Sequence, residues 1–296
     1  MTSLADFRLK PTDFTFRGTG LSRPECVLAE RDGTLWIADD KSAVLRLDPD
    51  GTQTRIGQIG GAPNGLAFDR RGALLIANIG DGKLYRMTRD GRHEVILDRF
   101  EGKPLGALNF VHVDDRDRVW VTVSTRTEPR IKAVQSPIPD GFLLVNDGGG
   151  WRRVGGDYCF TNEIRIDAAG KYLYVAETAL GRVSRHALHP DGSLGPRETF
   201  GPEPIFAGAR IDGITFDAAG NLWITEVAHH SLIVLTPEGH SRIVFYDAQA
   251  LTLQRPASLV FTGPDLRTVI VGSLDMDRLP VFRAPVAGLP LSHWSR

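Results

Sequence analysis

Apolar and polar positions alternate along this chain in short runs, and the runs recur as one phrase. The phrase is a polar residue, an alternating apolar stretch, a reversal of the D-x-x-G type and a second alternating stretch. Its copies read ECVLAERDGTLWIAD from Glu25, NGLAFDRRGALLIAN from Asn64, NFVHVDDRDRVWVTV from Asn109, NEIRIDAAGKYLYVA from Asn162 and DGITFDAAGNLWITE from Asp212. A degenerate sixth copy, PASLVFTGPDLRTVIVG, starts at Pro256. The first five starts are 39, 45, 53 and 50 residues apart. Within a copy the period is two: Ile164 and Ile166, then Leu173 and Val175, alternate with polar or small residues, as packed β-strands do. An acidic residue with a glycine three positions on, as in Asp69 and Gly72, Asp167 and Gly170, or Asp217 and Gly220, supplies the antiparallel reversal. Further strand-like pieces with turn signals follow each copy, among them AVLRLDPDG, GKLYRMTRDG, GFLLVNDGG and SLIVLTPEG. Four short strands in about 40–50 residues is the size of a propeller blade. The spacing predicts an all-β fold, a six-bladed β-propeller with four-stranded antiparallel blades, as a single domain over residues 1–296. The sixth copy is short of a fourth strand, and residues 14–19 (FTFRGT) form a spare one, so the N-terminal strand is expected to close the last blade.

Composition narrows the partners. The chain holds 35 Lys plus Arg against 36 Asp plus Glu, a net charge of −1 without a basic block. Neither nucleic acid nor a membrane surface is an expected partner, and the oligomeric state stays open. The 32 glycines exceed the usual ~7% and, with 18 prolines and no low-complexity tract, point to many turns. Two cysteines, Cys26 and Cys159, make neither a disulfide framework nor a Cys-type zinc site, and both are expected as small buried packers. No run approaches ~18 apolar residues and the N-terminal segment lacks an apolar h-region, so the expected location is cytoplasmic.

Chain direction turns the repeat into a candidate site. The first strand of a propeller blade lines the central channel, so residues that start each copy in phase form a ring at one mouth. They are Glu25, Asn64, Asn109, Asn162, Asp212 and, in the sixth copy, Ala257 or Ser258. Two carboxylates with two or three amide oxygens, and no His or Cys, make a hard oxygen site for one divalent metal ion. Ca²⁺ fits that donor set best; Mg²⁺ and Mn²⁺ fit less well, and Zn²⁺ is accommodated without being selected. The second strand of each blade returns to the same face, which places Asp39, Asp40, Asn78, Thr125, Arg126, Glu177, residues 226–230 and residues 273–276 around the mouth. The longest insertion, residues 125–141, leaves from such an end in the third blade and is expected as a lid or side wall. His229 or His230 is a candidate acid or base at the rim, at most one of them pointing inward, whereas His112 is expected to be structural. No G-x-S-x-G, P-loop, H-E-x-x-H or G-x-G-x-x-G opens a helix.

These copies, with Glu25 in RPECV, Asn109 in LNFVHVD, Asn162 in FTNEIRIDAAGKYLYVAET and Asp212 in RIDGITFDAAGNLWITE, resemble the SMP-30/gluconolactonase family across roughly residues 20–290. The resemblance implies a six-bladed propeller, an axial divalent metal and hydrolysis of a lactone or related ester. By position it makes Glu25, Asn162 and Asp212 direct metal ligands, and Asn109 a ligand or a contact to substrate or water. It also makes Asp212 the general base. Asn64 joins the substrate-binding set from phase alone. Sugar-lactonase members carry an Arg two residues before Asn109, where this chain has Ala107. Arg126 or Arg210 is then a candidate replacement, and Glu128 is an approximate counterpart of the family's acidic substrate residue. With Ala107 in place of that Arg, the expected substrate is a small lactone or ester less polar than a polyhydroxylated aldonolactone. Alternatives are phosphotriester or fluorophosphonate hydrolysis at the same metal, or a non-catalytic propeller scaffold.

Overall fold

The D-x-x-G reversals fold through their own side chains. Asp69 Oδ1 accepts the backbone N–H groups of Arg71 at 2.8 Å and Ala73 at 2.9 Å, and Gly72 takes a φ of +75°, which costs glycine little. The same acidic residue clamps a tryptophan of the next strand. Trp120 Nε1 donates to Asp114 Oδ2 at 2.9 Å and Trp223 Nε1 to Asp217 Oδ2 at 3.0 Å. These two turns are thereby pinned to the blade core by a buried, charge-assisted hydrogen bond.

The computed structural model describes Leu4 and residues 6–295; residues 1–3, 5 and 296 of the expected span lie outside the described residues. Six four-stranded antiparallel sheets follow one another along the chain. Their innermost strands are Val27–Ala29, Pro63–Phe68, Leu108–Val113, Thr161–Ile166, Ile211–Phe216 and Pro256–Thr262. Each touches the next, and the last touches the first, so the six blades form a closed β-propeller. Closure removes the free inner edges that an open sheet array would expose. The outermost strand of the sixth sheet is Thr15–Arg17, paired antiparallel with Leu279–Val281. Between blades the core is aliphatic and aromatic, with Trp36, Trp120 and Trp223 fully buried.

One irregularity recurs and positions the site. In blades two to six the inner strand carries one extra residue near its start, between Pro63 and Leu66, Leu108 and Phe110, Thr161 and Ile164, Ile211 and Ile214, and Pro256 and Leu259. Such a β-bulge turns a side chain off the sheet face, and here the residues inside it include Asn64, Asn109, Asn162 and Asp212. The bulge also brings neighbouring backbones close: a Cβ on Gly213 would lie 2.4 Å from Ala257 O, so only glycine follows Asp212 without displacement.

The insertion at 125–141 holds the single α-helix among the described residues, Ile131–Gln135. No helix among them is long and apolar enough to cross a membrane. At the opposite mouth the C-terminal segment straps the channel. Ser292 Oγ donates to Val113 O at 2.7 Å, Trp294 Nε1 donates to Ala29 O at 2.8 Å, and Gly288 bridges to Asp217.

Candidate active site on the propeller axis

A cavity of about 760 Å³ opens at the mouth where the bulges lie, and Glu25, Asn64, Asn109, Asn162 and Asp212 all line it. All five side chains are buried. Asn64 Nδ2 donates to Glu25 Oε1 at 3.0 Å and to Asn109 Oδ1 at 3.1 Å, while Asn64 Oδ1 accepts from Arg23 Nη2 at 2.6 Å. Asn109 Nδ2 donates to Ser124 Oγ at 3.0 Å, and Asn162 Nδ2 to Thr178 Oγ1 at 3.0 Å. The amides are thus anchored by their nitrogens. Three oxygens on this ring, Glu25 Oε2, Asn162 Oδ1 and Asp212 Oδ1, are buried with no hydrogen-bond donor. An unpaired buried polar atom is costly, and three on one axis form a donor set for a hard cation. Among the described residues no group of three or more His, Cys, Asp or Glu assembles; this set mixes two carboxylates with amides.

Charge at the axis is correspondingly strained. Burial pushes Glu25 up to about 7, helped by the charge of Glu163 and opposed by Arg23. Burial likewise holds Asp212 well above the usual carboxylate range, with Glu25 and Glu163 adding to it. Glu163 itself is pushed up to about 7 by burial, against its ion pair with Arg165 at 2.8 Å and the Ile214 N–H at 3.2 Å. It acts in the channel on both ring carboxylates, and nothing in the phase argument singled it out. Its neighbour Cys26 has its thiol raised by burial and by Glu163, and Cys159 is raised chiefly by burial, so neither has the thiolate a nucleophile requires.

The sequence placed other residues at the mouth that the structure turns elsewhere. Arg126 does not line the cavity: its guanidinium stacks 4.6 Å from the Phe142 ring and donates to Leu105 O. His229 is drawn aside by Glu226, 3.3 Å from its Nδ1, and packs on Phe206; His230 lines the cavity instead. Glu128 lines it, as do Pro129, Arg130, Ile131 and Val134, so the insertion supplies a side wall. Asp39, Asn78, Glu177 and Glu226 are fully buried and bind their own loops rather than the mouth: Asn78 Oδ1, for example, accepts from Ala62, Gly80 and Asp81. The loop residues just beyond them, Ile79, Thr178 and Val227, form the wall. Ser258 is spent on Val27 N–H at 3.3 Å, and His112 belongs to a separate cavity of about 430 Å³ at the strapped end. Arg23 and Arg130 are cavity residues that no repeat position marked, because they lie outside the recurring phrase.

Comparisons with known proteins bear on the family and the fold. The model of the SMP-30/gluconolactonase/LRE-like region matches residues 23–275. A 6-deoxy-6-sulfogluconolactonase of Pseudomonas putida is 27% identical over 257 residues, covering 84% of this chain and 82% of that protein. Two solved structures share the fold. A gluconolactonase from Xanthomonas campestris has a TM-score of 0.70 at 19% identity, covering 92% of this chain and 88% of its own. A calcium-binding protein, regucalcin, from Agrobacterium tumefaciens has a TM-score of 0.74 at 18% identity, covering 93% and 96%.

Proposed function

The chain belongs to the SMP-30/gluconolactonase/LRE-like family, and from that premise we propose that it is a divalent-metal-dependent hydrolase that opens a lactone ring. The observation that carries this reading is the set of three unpaired buried oxygens, Glu25 Oε2, Asn162 Oδ1 and Asp212 Oδ1, on residues that line one cavity. They suit Ca²⁺, a hard cation that takes oxygen ligands. Glu25, Asn162 and Asp212 would hold the ion, and Asn109, anchored through Ser124, would orient substrate or water beside them. When bound, the cation supplies Lewis-acid polarisation of the lactone carbonyl and offsets the negative charge that develops on its oxygen.

The chain's own residues do the rest. Asp212 takes the proton of the attacking water as its oxygen bonds to the carbonyl carbon, and it returns a proton to the ring oxygen as the ring C–O bond breaks. The product is an open-chain hydroxy acid. Asn64 and Arg23 keep Glu25 and Asn109 in place. The test is a lactone panel, with a phosphotriester as comparison, assayed with Ca²⁺ and with EDTA. Lactone opening should be lost in EDTA, return with Ca²⁺ and fall by roughly a thousandfold in Asp212→Asn. Full lactone turnover by a folded Asp212→Asn variant would overturn the assignment.

A further inference from the structure

Four arginines line the cavity above the axis: Arg23, Arg130, Arg210 and Arg255. Two of them are already occupied. Arg23 donates to Asn64 Oδ1 and Pro63 O and lies 3.9 Å from Asp40, and Arg255 lies 3.4 Å from Asp275. Arg130 and Arg210 have no carboxylate within ion-pair distance among the described residues. Arg210 donates from Nη1 to Ala209 O at 3.0 Å, its own neighbour's carbonyl, and Arg130 is a half-buried residue at the N-cap of the short helix Ile131–Gln135. Glu128, an acidic residue on the same wall, is exposed and pairs with neither.

Arg130 and Arg210 are partly buried at the cavity wall without a close ion pair, Asp40 acting on Arg130 only from beyond that distance, so both guanidinium groups are free to take up an anion. The cavity wall that holds these two arginines also includes Ile131, Val134, Phe160 and Val227, and such apolar surroundings strengthen any ion pair formed there. Arg130 comes from the insertion of blade three and Arg210 from the loop entering blade five, so they flank the mouth on either side of blade four. The planar fork of arginine matches the paired oxygens of a carboxylate, sulfonate or phosphate.

We infer that the substrate carries a second, anionic group, an oxyanion remote from the reacting carbonyl, and that Arg130 and Arg210 hold it. This rests on the lactonase reading for the reacting end only. The remote group fixes the ring over Asp212, so its binding energy also serves orientation. Of the two arginines that the sequence offered in place of the one missing at Ala107, Arg210 lines the cavity and Arg126 does not.

The test compares glucono-1,5-lactone with its 6-phosphate and 6-sulfonate counterparts, in wild type and in Arg130→Gln and Arg210→Gln. It also measures binding of open-chain 6-phosphogluconate by calorimetry. Wild type should prefer at least one anionic lactone by about tenfold or more in kcat/KM, and each variant should lose most of that preference and weaken binding of the open-chain anion by about tenfold. Arg130→Lys and Arg210→Lys, which keep the charge without the fork, should fall between. Lactone opening that ignores the 6-substituent, with the variants unaltered, would overturn this inference and leave the lactonase reading standing. Arginine-dependent binding of the anion without turnover of any lactone would do the reverse. Absence of both turnover and anion binding would overturn both.

Discussion

Asn64 donates from Nδ2 to Glu25 Oε1 at 3.0 Å, while Oε2 of the same carboxylate has no donor at all. The amide therefore fixes the rotation of the carboxylate and leaves one oxygen for a cation. Arg23, bound to Asn64 Oδ1, fixes in turn which end of the amide faces Glu25. Asn64 is in this arrangement an orienting residue, since its oxygen is taken and its N–H groups point at the axis.

Removing that orientation should cost metal affinity before it costs the fold. Asn64→Ala is expected to weaken Ca²⁺ binding by about 10–100-fold, the usual effect of deleting a ligand's hydrogen-bonding partner. Calorimetric titration of both proteins checks it. An unaltered dissociation constant would remove Asn64 from the site.

Protons compete with the cation. Glu25 is pushed up to about 7 by burial and Asp212 is held well above its ordinary range by burial and by Glu25. Without a cation the folded state retains protons that the unfolded chain releases from Glu25 near 4.5. The stability contributed by these raised groups is therefore present at low pH and is lost as pH rises through the folded value. Ca²⁺ has to displace the same protons, so its affinity should climb across that window and flatten above it. Thermal melts from about pH 5 to about pH 8, with Ca²⁺ and with EDTA, should show a gap that widens with pH. An equal gap at both ends would contradict ligation by these carboxylates.

Glu163 raises both ring carboxylates by its charge. Glu163→Gln should therefore move the pH dependence of Ca²⁺ binding to lower pH and weaken the binding limit reached at high pH, because the same charge also attracts the cation. Titrations of Ca²⁺ at matched pH values read both effects. No movement in either would mean that Arg165, 2.8 Å away, neutralises Glu163 completely.

Attachment of the N-terminal strand can be tested through Phe14. Its ring centroid lies 4.6 Å from that of Phe245 and 5.5 Å from that of Phe282, so it ties the incoming chain to blades five and six. Phe14→Ala should cost about 3–5 kcal/mol in chemical denaturation, as other deletions of buried aromatic rings do. A loss below about 1 kcal/mol would make the N-terminal segment peripheral to stability.

Period-two alternation and the D-x-x-G reversals made the blades legible in the sequence, because both are local: Asp69 and Gly72 carry their own turn. The ring was legible because a polar residue opens five copies in phase, whereas no residue pattern announced the bulges that hold four of them, Asn64, Asn109, Asn162 and Asp212. What escaped depends on contacts between distant segments. Arg126 is captured by Phe142, and His229 by Glu226 and Phe206, so the inward histidine is His230. Arg130 reaches the cavity because a short helix forms inside an insertion that has no counterpart in the other blades.

One hard cation is expected on the axis among Glu25, Asn162 and Asp212. Diffraction from crystals grown with Ca²⁺, using its anomalous signal, tests it directly. The expected result is a single peak within about 2.3–2.6 Å of Glu25 Oε2, Asn162 Oδ1 and Asp212 Oδ1. An axis without a peak at saturating Ca²⁺, or an ion bound away from these three oxygens, would contradict the account.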